Sequence, residues 1–310
     1  MGISMERTVT VGVPVYNEER TIYQTLESII KSAEKMGAGY EVVVCFNGTT
    51  DNGQVIAERF NQEKHPLRII ESQNGKSKAI NAIVNASDSE YLLFCDGDVI
   101  VEEDCFKNLI RRFSNKDVIA VTGAPRPWEK NEAMYRILNA RMTYPLSEIA
   151  KKPIDGFTEK PFIHGRSYAI RRQVFQDMGD AGKFERSIGD DTYLTHYVVK
   201  KFGRKAIFRD IEAVVNYLPV QSLKSWWLKW SRIWSDLDKL YKENPDFVDL
   251  RPFMQTKLNW EYVFKLPMPV PFYFVLERVI HHFGKAYFNL TKQKCDYSWQ
   301  RLNDTKVIPK

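Results

Sequence analysis

Between Thr8 and Thr122, short apolar runs of strand length alternate with longer segments whose apolar residues recur at helical spacing. That alternation restricts the chain to an α/β fold with a mostly parallel sheet, because each crossover helix has to pack back on the sheet it leaves and both faces end up covered. Thr8–Val15 reads as the first strand. Glu19–Lys35 follows as an amphipathic helix with Ile22, Leu26, Ile29, Ile30 and Ala33 along one face, and Gly37-Ala-Gly39 ends it. Further strands are expected at Glu41–Phe46, Leu67–Glu71, Tyr91–Cys95 and Val118–Thr122, with helices near Gln54–Phe60, Ser77–Asn85 and Glu103–Phe113 between them.

After Thr122 the alternation weakens. Asn131–Ile149 reads as one long helix, Phe162–Ile170 as a buried strand and Asp190–Phe202 as a helix. Ser222–Lys242 is a helix carrying Trp226, Trp227, Trp230 and Trp234. No repeat or low-complexity linker interrupts the chain. The simplest division is a catalytic domain over residues 1–240 with a C-terminal extension over 241–310.

At 310 residues and 44% hydrophobic content the chain can bury a large core. Cys45, Cys95, Cys105 and Cys295 form no Cys-x-x-Cys pair, and two of them sit inside strand-like runs, so reduced thiols of a cytoplasmic protein are expected. The first residues contain no apolar core of signal-peptide length. The acceptor patterns at Asn47, Asn85 and Asn289 are therefore read as chance matches to the glycosylation motif. The net charge is +6, without a Lys/Arg-rich run interleaved with aromatics, which speaks against nucleic acid as a partner. Much of the excess lies at Lys200, Lys201, Arg204, Lys205, Lys224, Lys229 and Arg232, a bias that suits a nucleotide diphosphate or an anionic membrane surface.

The chemistry concentrates where strands end. Tyr91-Leu-Leu-Phe-Cys-Asp-Gly-Asp98 is an apolar run that stops at two carboxylates separated by one glycine. Ligands of α/β sheets bind beyond the carboxyl ends of the strands. Asp96 and Asp98 can there hold a hard divalent cation that bridges nucleotide phosphates, although Asp and Gly also make ordinary turns. Pro14-Val-Tyr-Asn-Glu-Glu19 closes the first strand and Asn47-Gly-Thr-Thr-Asp51 the second. Gly189-Asp-Asp191 opens a late helix, preceded by His164-Gly-Arg-Ser-Tyr-Ala-Ile-Arg-Arg172.

In their order and spacing these motifs resemble the family 2 inverting glycosyltransferases of the GT-A (Rossmann-like) fold, over roughly residues 8–235. The resemblance implies a nucleotide-diphosphate-sugar donor, a UDP-sugar foremost, and Mn²⁺ or Mg²⁺ as cofactor. Pro14, Tyr16, Asn17 and Glu18 then match the loop that contacts base and ribose, while Glu18 or Glu19 also suits the first turn of a helix. Asn47 stands where the family usually has an aspartate on the uracil, and Phe46 where a second aspartate is common. Asp51 fits a helix cap better than a ligand contact.

Lys76 and Lys78, in Gly75-Lys-Ser-Lys-Ala-Ile-Asn81, match the loop before the fourth strand and can neutralise phosphate or remain solvated. Asp96 would contact ribose or metal-bound water, and Asp98 would ligate the metal. Asp191 matches the general base that deprotonates the acceptor hydroxyl. Asp190-Asp191 also suits a helix N-terminus. His164 is expected at the acceptor pocket, as a third metal ligand, an acceptor contact or a structural histidine, with Gly165 and Asp190 beside it. His196 is a weaker candidate.

Processive synthases of the family carry Gln-x-x-Arg-Trp. The matching helix here reads Lys229-Trp-Ser-Arg-Ile233 with Trp234 one place late, which argues for a non-processive enzyme. Arg232 would still face the diphosphate, and Trp230 or Trp234 would stack on sugar. The implied acceptor is a glycan or a lipid-linked saccharide.

Val263–Ile280 is rich in apolar residues but holds Lys265, Glu277, Arg278 and three prolines, and so is not a spanning helix. It can lie in a membrane interface at the inner face, or pack on the catalytic domain or a partner subunit. No motif specifies an oligomeric state. A sugar-phosphate nucleotidyltransferase and a dinucleotide-dependent dehydrogenase both need a glycine-rich loop after the first strand, which is missing here. A non-catalytic nucleotide-sugar-binding or scaffold protein on the same fold finds support only in Phe46, Asn47 and the altered synthase motif.

Overall fold

The computed structural model describes residues 9–63, 66–128, 132–140, 156–157, 161–179, 181–187, 189–250 and 260–291. β1 (Val9–Val15), β2 (Tyr40–Asn47), β3 (Arg68–Ser72) and β4 (Tyr91–Cys95) run parallel, joined by α1 (Ile22–Glu34), α2 (Gly53–Glu63) and α3 (Lys76–Asn85). β5 (Val99–Val101), α4 (Cys105–Arg111), β6 (Ala120–Pro127) and α5 (Ala133–Leu138) follow. Then come β7 (Gly156–Phe157), β8 (Ser167–Arg171), α6 (Gln173–Asp177), α7 (Ala181–Glu185), α8 (Asp190–Phe202) and β9 (Ile207–Tyr217). α9 (Leu223–Glu243), α10 (Trp260–Val263) and α11 (Val270–Thr291) complete the chain.

The sheet has the order β3-β2-β1-β4-β8-β6-β9-β5, with β7 on β9. The alternating half of the sequence is parallel, as expected. From β8 onward the sheet is mixed, because β8 inserts antiparallel between β4 and β6.

Period-2 side-chain alternation builds a core on each face. Val9, Val11, Val13 and Val15 of β1 pack with Leu93 and Cys95 of β4 against Leu26 and Ile29 of α1 and Phe106 of α4. Leu92 and Phe94 point the other way, onto Ile80 and Ile83 of α3 and Leu194 and Val198 of α8. The expected apolar face of the first helix is buried throughout. Gly12 is the point of closest approach: a Cβ there would lie 2.8 Å from Ile83 Cγ2 and 2.9 Å from the Phe94 ring.

The strand expected at Phe162–Ile170 starts only at Ser167. Residues 163 and 164 instead spend their N–H groups on side chains, Ile163 on Thr195 Oγ1 at 2.9 Å and His164 on Thr122 Oγ1 at 2.8 Å. Of the long helix expected at Asn131–Ile149, α5 is described, and residues 141–149 lie outside the described residues. Cys45, Cys95 and Cys105 are buried free thiols, whereas Cys295 lies outside the described residues. Among the described residues no helix is long and apolar enough to cross a membrane. α11 nonetheless has 22 residues, with Pro271 at its second position, where an N–H would have no partner within the helix.

Candidate active site

Four strand or helix ends meet above β1 and β4. Beyond β1 the chain turns through Asn17, whose φ of 54° lies in the left-handed region that asparagine tolerates better than most residues. Asn17 Oδ1 accepts Thr50 N–H at 2.7 Å and Asp51 N–H at 3.3 Å. Asp51 accepts Gly53 N–H at 3.0 Å, the cap expected for α2, and also Glu19 N–H at 2.9 Å. These bonds lace the loops after β1 and β2 together. Asn47, buried at the end of β2, donates from Nδ2 to Val15 O at 2.8 Å and accepts Gly75 N–H at 3.4 Å. Its amide therefore ties β1 to the loop before α3. Pro14 stands in register with Cys45, and Tyr16 is half-buried at the rim.

The turn between the two aspartates presses on this floor. A Cβ on Gly97 would lie 3.3 Å from Val15 Cγ2 and 3.4 Å from Glu18 Cγ. Gly97 O accepts the Thr21 and Thr25 hydroxyls at 3.1 and 3.2 Å, and the buried Glu18 carboxylate accepts Thr21 Oγ1 at 3.2 Å. Asp96 N–H donates to Arg166 O at 3.2 Å, joining the end of β4 to the loop that holds His164 and Gly165.

Lys76 occupies the centre. From the first turn of α3 its Nζ reaches Asp96 Oδ1 at 2.6 Å, Asp190 Oδ1 at 3.4 Å and Gly165 O at 3.2 Å. Burial disfavours its charge, but Asp190, Asp96 and Asp191 outweigh that and hold the ammonium above its ordinary range. Lys78 points elsewhere and donates to Gln73 Oε1 at 2.9 Å. Burial pushes the Asp190 carboxyl up to about 7, opposed by Lys76 and reinforced by Asp191 and Asp96. Asp190 Oδ2 is buried without a hydrogen-bond partner among the described residues.

This donor set suits a hard cation. Asp96 and Asp98, separated by one residue, with Asp190 near Asp96 across Lys76 and its Oδ2 orphaned, offer the oxygens that Mn²⁺ or Mg²⁺ prefers. No three His, Cys, Asp or Glu side chains converge in metal-holding geometry among the described residues. The His164 imidazole is pushed down to about 3 by burial and by the charges of Arg209 and Arg166. Its ring packs edge-on to Phe162, with centroids 5.2 Å apart.

Asp190 and Asp191 form the first turn of α8, with Asp190 buried and Asp191 partly exposed. Asp191 Oδ1 accepts Thr192 N–H at 2.7 Å, and Oδ2 accepts Gly165 N–H at 3.3 Å. The second acid thus has a fixed orientation and an open side. Across from it, Asp236 of α9 accepts Gly189 N–H at 2.9 Å and secures the start of α8. Arg232, one turn earlier on α9, is largely buried and feels the charges of Asp191, Asp236, Arg166 and Asp190. Lys229 lies on the same helical face, its ammonium pushed down to about 7 by burial and by Arg166 and Arg232, with Glu277 opposing.

The opposite face of α9 belongs to α11. Trp230 and Trp234 meet His281 edge-to-face at 4.5 and 5.3 Å, Trp234 meets Phe288 at 5.7 Å, and Trp226 joins both. Gly284 makes room for these rings, since a Cβ would lie 3.2 Å from Trp226 and Trp234. Trp230 and Trp234, expected to stack on sugar, pack between α9 and α11. His196 is structural as well, with Nδ1 at 2.7 Å from Thr192 O and Nε2 at 3.0 Å from Tyr241 Oη. Sequence reasoning missed Asp236, Arg166 and Lys229. The i, i+3, i+7 spacing of Lys229, Arg232 and Asp236 on one helix face was the available signal.

With this geometry in view, the comparisons are specific. Residues 10–179 match the family model described as Glycosyl transferase family 2. Glycosyltransferase GlyG of Streptococcus pneumoniae serotype 4 is 22% identical over 183 residues, covering 56% of this chain and 60% of that protein. The chain thus spans less than two thirds of this curated relative. Among solved structures, a mannosyltransferase from Pyrobaculum calidifontis in complex with GDP-Man and Mn²⁺ superposes with a TM-score of 0.60 at 19% identity, covering 91% of this chain and 76% of that one. Glucosyl-3-phosphoglycerate synthase from Mycobacterium tuberculosis, in complex with Mn²⁺, UDP-glucose and phosphoglyceric acid, has a TM-score of 0.51 at 17% identity over 76% of this chain and 79% of its own.

Proposed function

The chain belongs to glycosyl transferase family 2, and we propose that it transfers a sugar from a nucleotide-diphosphate donor to an acceptor hydroxyl with inversion, one or a few residues at a time. The observation that carries this reading is Asp191, held by Gly165 N–H and Thr192 N–H beside the Lys76–Asp96–Asp190 cluster at the strand ends. Asp191 takes the proton of the acceptor hydroxyl. Lys76 and Arg232 hold negative charge near the leaving diphosphate. Asp96 and Asp98 would hold Mn²⁺ or Mg²⁺, which supplies Lewis-acid stabilisation of that diphosphate. A UDP-sugar is the first donor to test, with GDP-sugars as the comparison, because Asn47 replaces the usual base-binding acid.

The acceptor in this reading is a glycan or a lipid-linked saccharide, met on the cytoplasmic side of a membrane. Support comes from α11, where Phe283 and Leu290 are 74% and 85% exposed along with Phe272, Val279 and Tyr287, while the exposed charges on that helix, His282 and Lys285, are cationic or neutral. Residues 1–240 would then be the catalytic unit and 241–310 its interfacial extension. Co-sedimentation with anionic vesicles, weakened in Phe283→Glu, tests that contact. Calorimetry of UDP and GDP with and without Mn²⁺, in wild type and Asp191→Asn, tests the core reading. The variant is expected to keep metal-dependent nucleotide binding and lose transfer. Retained transfer removes Asp191 as base, and absence of any nucleotide binding favours a scaffold protein.

A further inference from the structure

Arg166 and Arg209, which both act on His164, have no acidic partner among the described residues. Arg209 stands in register with Thr122 on the neighbouring strand β6. Residues in register across a sheet project to the same face. The Thr122 hydroxyl holds His164 N–H at 2.8 Å, so Arg209 is delivered to the loop carrying His164, Gly165 and Arg166. Its Nε is buried, with no hydrogen-bond partner among the described residues.

Arg166 is next to Gly165, whose N–H touches Asp191 Oδ2. The Arg166 guanidinium carbon sits over the Tyr217 ring, 3.7 Å from its centroid. Arg232 and Lys229 approach the same place from α9, one turn and two turns before the Asp236 that grips Gly189.

Two half-buried guanidinium groups, Arg166 and Arg209, without an acidic partner among the described residues are costly to hold. Guanidinium forks bind phosphate oxygens in pairs, and a preorganised fork loses little freedom in doing so. Resting on the glycosyltransferase reading above, we infer that Arg166 and Arg209 form an anion subsite for a phosphoryl group carried by the acceptor. The donor diphosphate has its own partners in Lys76 and the Asp96–Asp98 cation site, on α3 and β4. Arg166 and Arg209 belong to the β8–β6–β9 half of the sheet. The acceptor would thus be a phosphorylated sugar or a phosphate-bearing lipid-linked sugar, anchored by its phosphate while its hydroxyl faces Asp191.

The test uses the full chain saturated with UDP and Mn²⁺, titrated with inorganic phosphate in a calorimeter. Wild type is expected to bind phosphate under these conditions. Arg209→Gln and Arg166→Gln should each weaken that binding at least tenfold, and Arg209→Lys, which keeps the charge, should weaken it less. UDP affinity should stay within twofold throughout, which also shows that the variants are folded. Phosphate affinity unchanged in both glutamine variants overturns the subsite. Phosphate binding abolished by UDP in the wild type assigns these arginines to the donor and overturns it too. Failure of UDP itself to bind instead removes the donor reading, while phosphate binding is still measured without it.

Displacement of bound phosphate by a short-chain prenyl phosphate assigns the group to a lipid-linked acceptor. Displacement by a hexose phosphate assigns it to a soluble one. Displacement by neither overturns the acceptor assignment.

Discussion

Asp236 on α9 accepts the backbone N–H of Gly189, 47 residues earlier in the chain, at 2.9 Å, and by that bond the α9 helix sets where the Asp190–Asp191 turn begins. Asp236→Ala leaves a partly buried N–H unpaired and is expected to destabilise the fold by about 1–3 kcal/mol. Asp236→Asn retains an acceptor oxygen and should lose less. In both, kcat should fall more than nucleotide affinity. Urea unfolding beside single-turnover kinetics checks the split, and equal loss in the two variants would show that the bond is not what matters.

Lys76 is the cation closest to the buried carboxylates, so Lys76→Met leaves Asp96 and Asp190 repelling each other. Removing one partner of such a buried cluster costs about 3–5 kcal/mol. Added Mn²⁺ should raise the melting temperature of the variant more than that of the wild type, because the ion takes over the compensating charge. A smaller shift in the variant would place the ion away from Lys76.

Lys229 gives a pH dependence of definite sign. Its folded-state value of about 7 lies below the ordinary 10.5, so between those limits the unfolded chain binds more protons than the folded one. Stability from this group therefore rises with pH from about 7 towards 10.5, by at most roughly 1.4 kcal/mol per pH unit. Below pH 7 both states are protonated and the slope vanishes. Melting curves at pH 7 and 9 should show the rise in wild type and a flatter response in Lys229→Met.

Gly12 tests the packing of the sheet. Gly12→Ala places a methyl 2.8 Å from Ile83 Cγ2 and should cost about 1–3 kcal/mol through overpacking. Ile83→Ala, which removes Cγ2, should cost less in the Gly12→Ala background than in the wild type, a non-additivity that chemical denaturation of the two single variants and the double variant would reveal.

The parallel half of the fold and its strand-end motifs were legible because period-2 and period-3.6 patterns are local. β1 to β4 and the aspartates after Cys95 fall where those patterns place them. The mixed half was less legible, since the insertion of β8 between β4 and β6 depends on pairing across some 75 residues rather than on local pattern. The tryptophan seam was hidden for a related reason. A stripe of aromatic rings at helical spacing suits a sugar platform and a helix–helix seam equally, and only His281, Gly284 and Phe288, about 50 residues away, reveal the seam. Arg166 and Asp236 were invisible as site residues because each acquires its role from a contact with a distant loop or ring.

The bond from Asp96 N–H to Arg166 O works as a ruler. In the proposed reaction it ties the carboxylate facing the leaving group to the loop whose neighbouring N–H, on Gly165, holds the proposed base. The span between bond breaking and proton removal is thus calibrated before any substrate arrives, and it need not be re-measured by closing one half of the molecule onto the other. On the proposed mechanism, an acceptor would be selected by reach: its hydroxyl has to meet Asp191 where these bonds hold it.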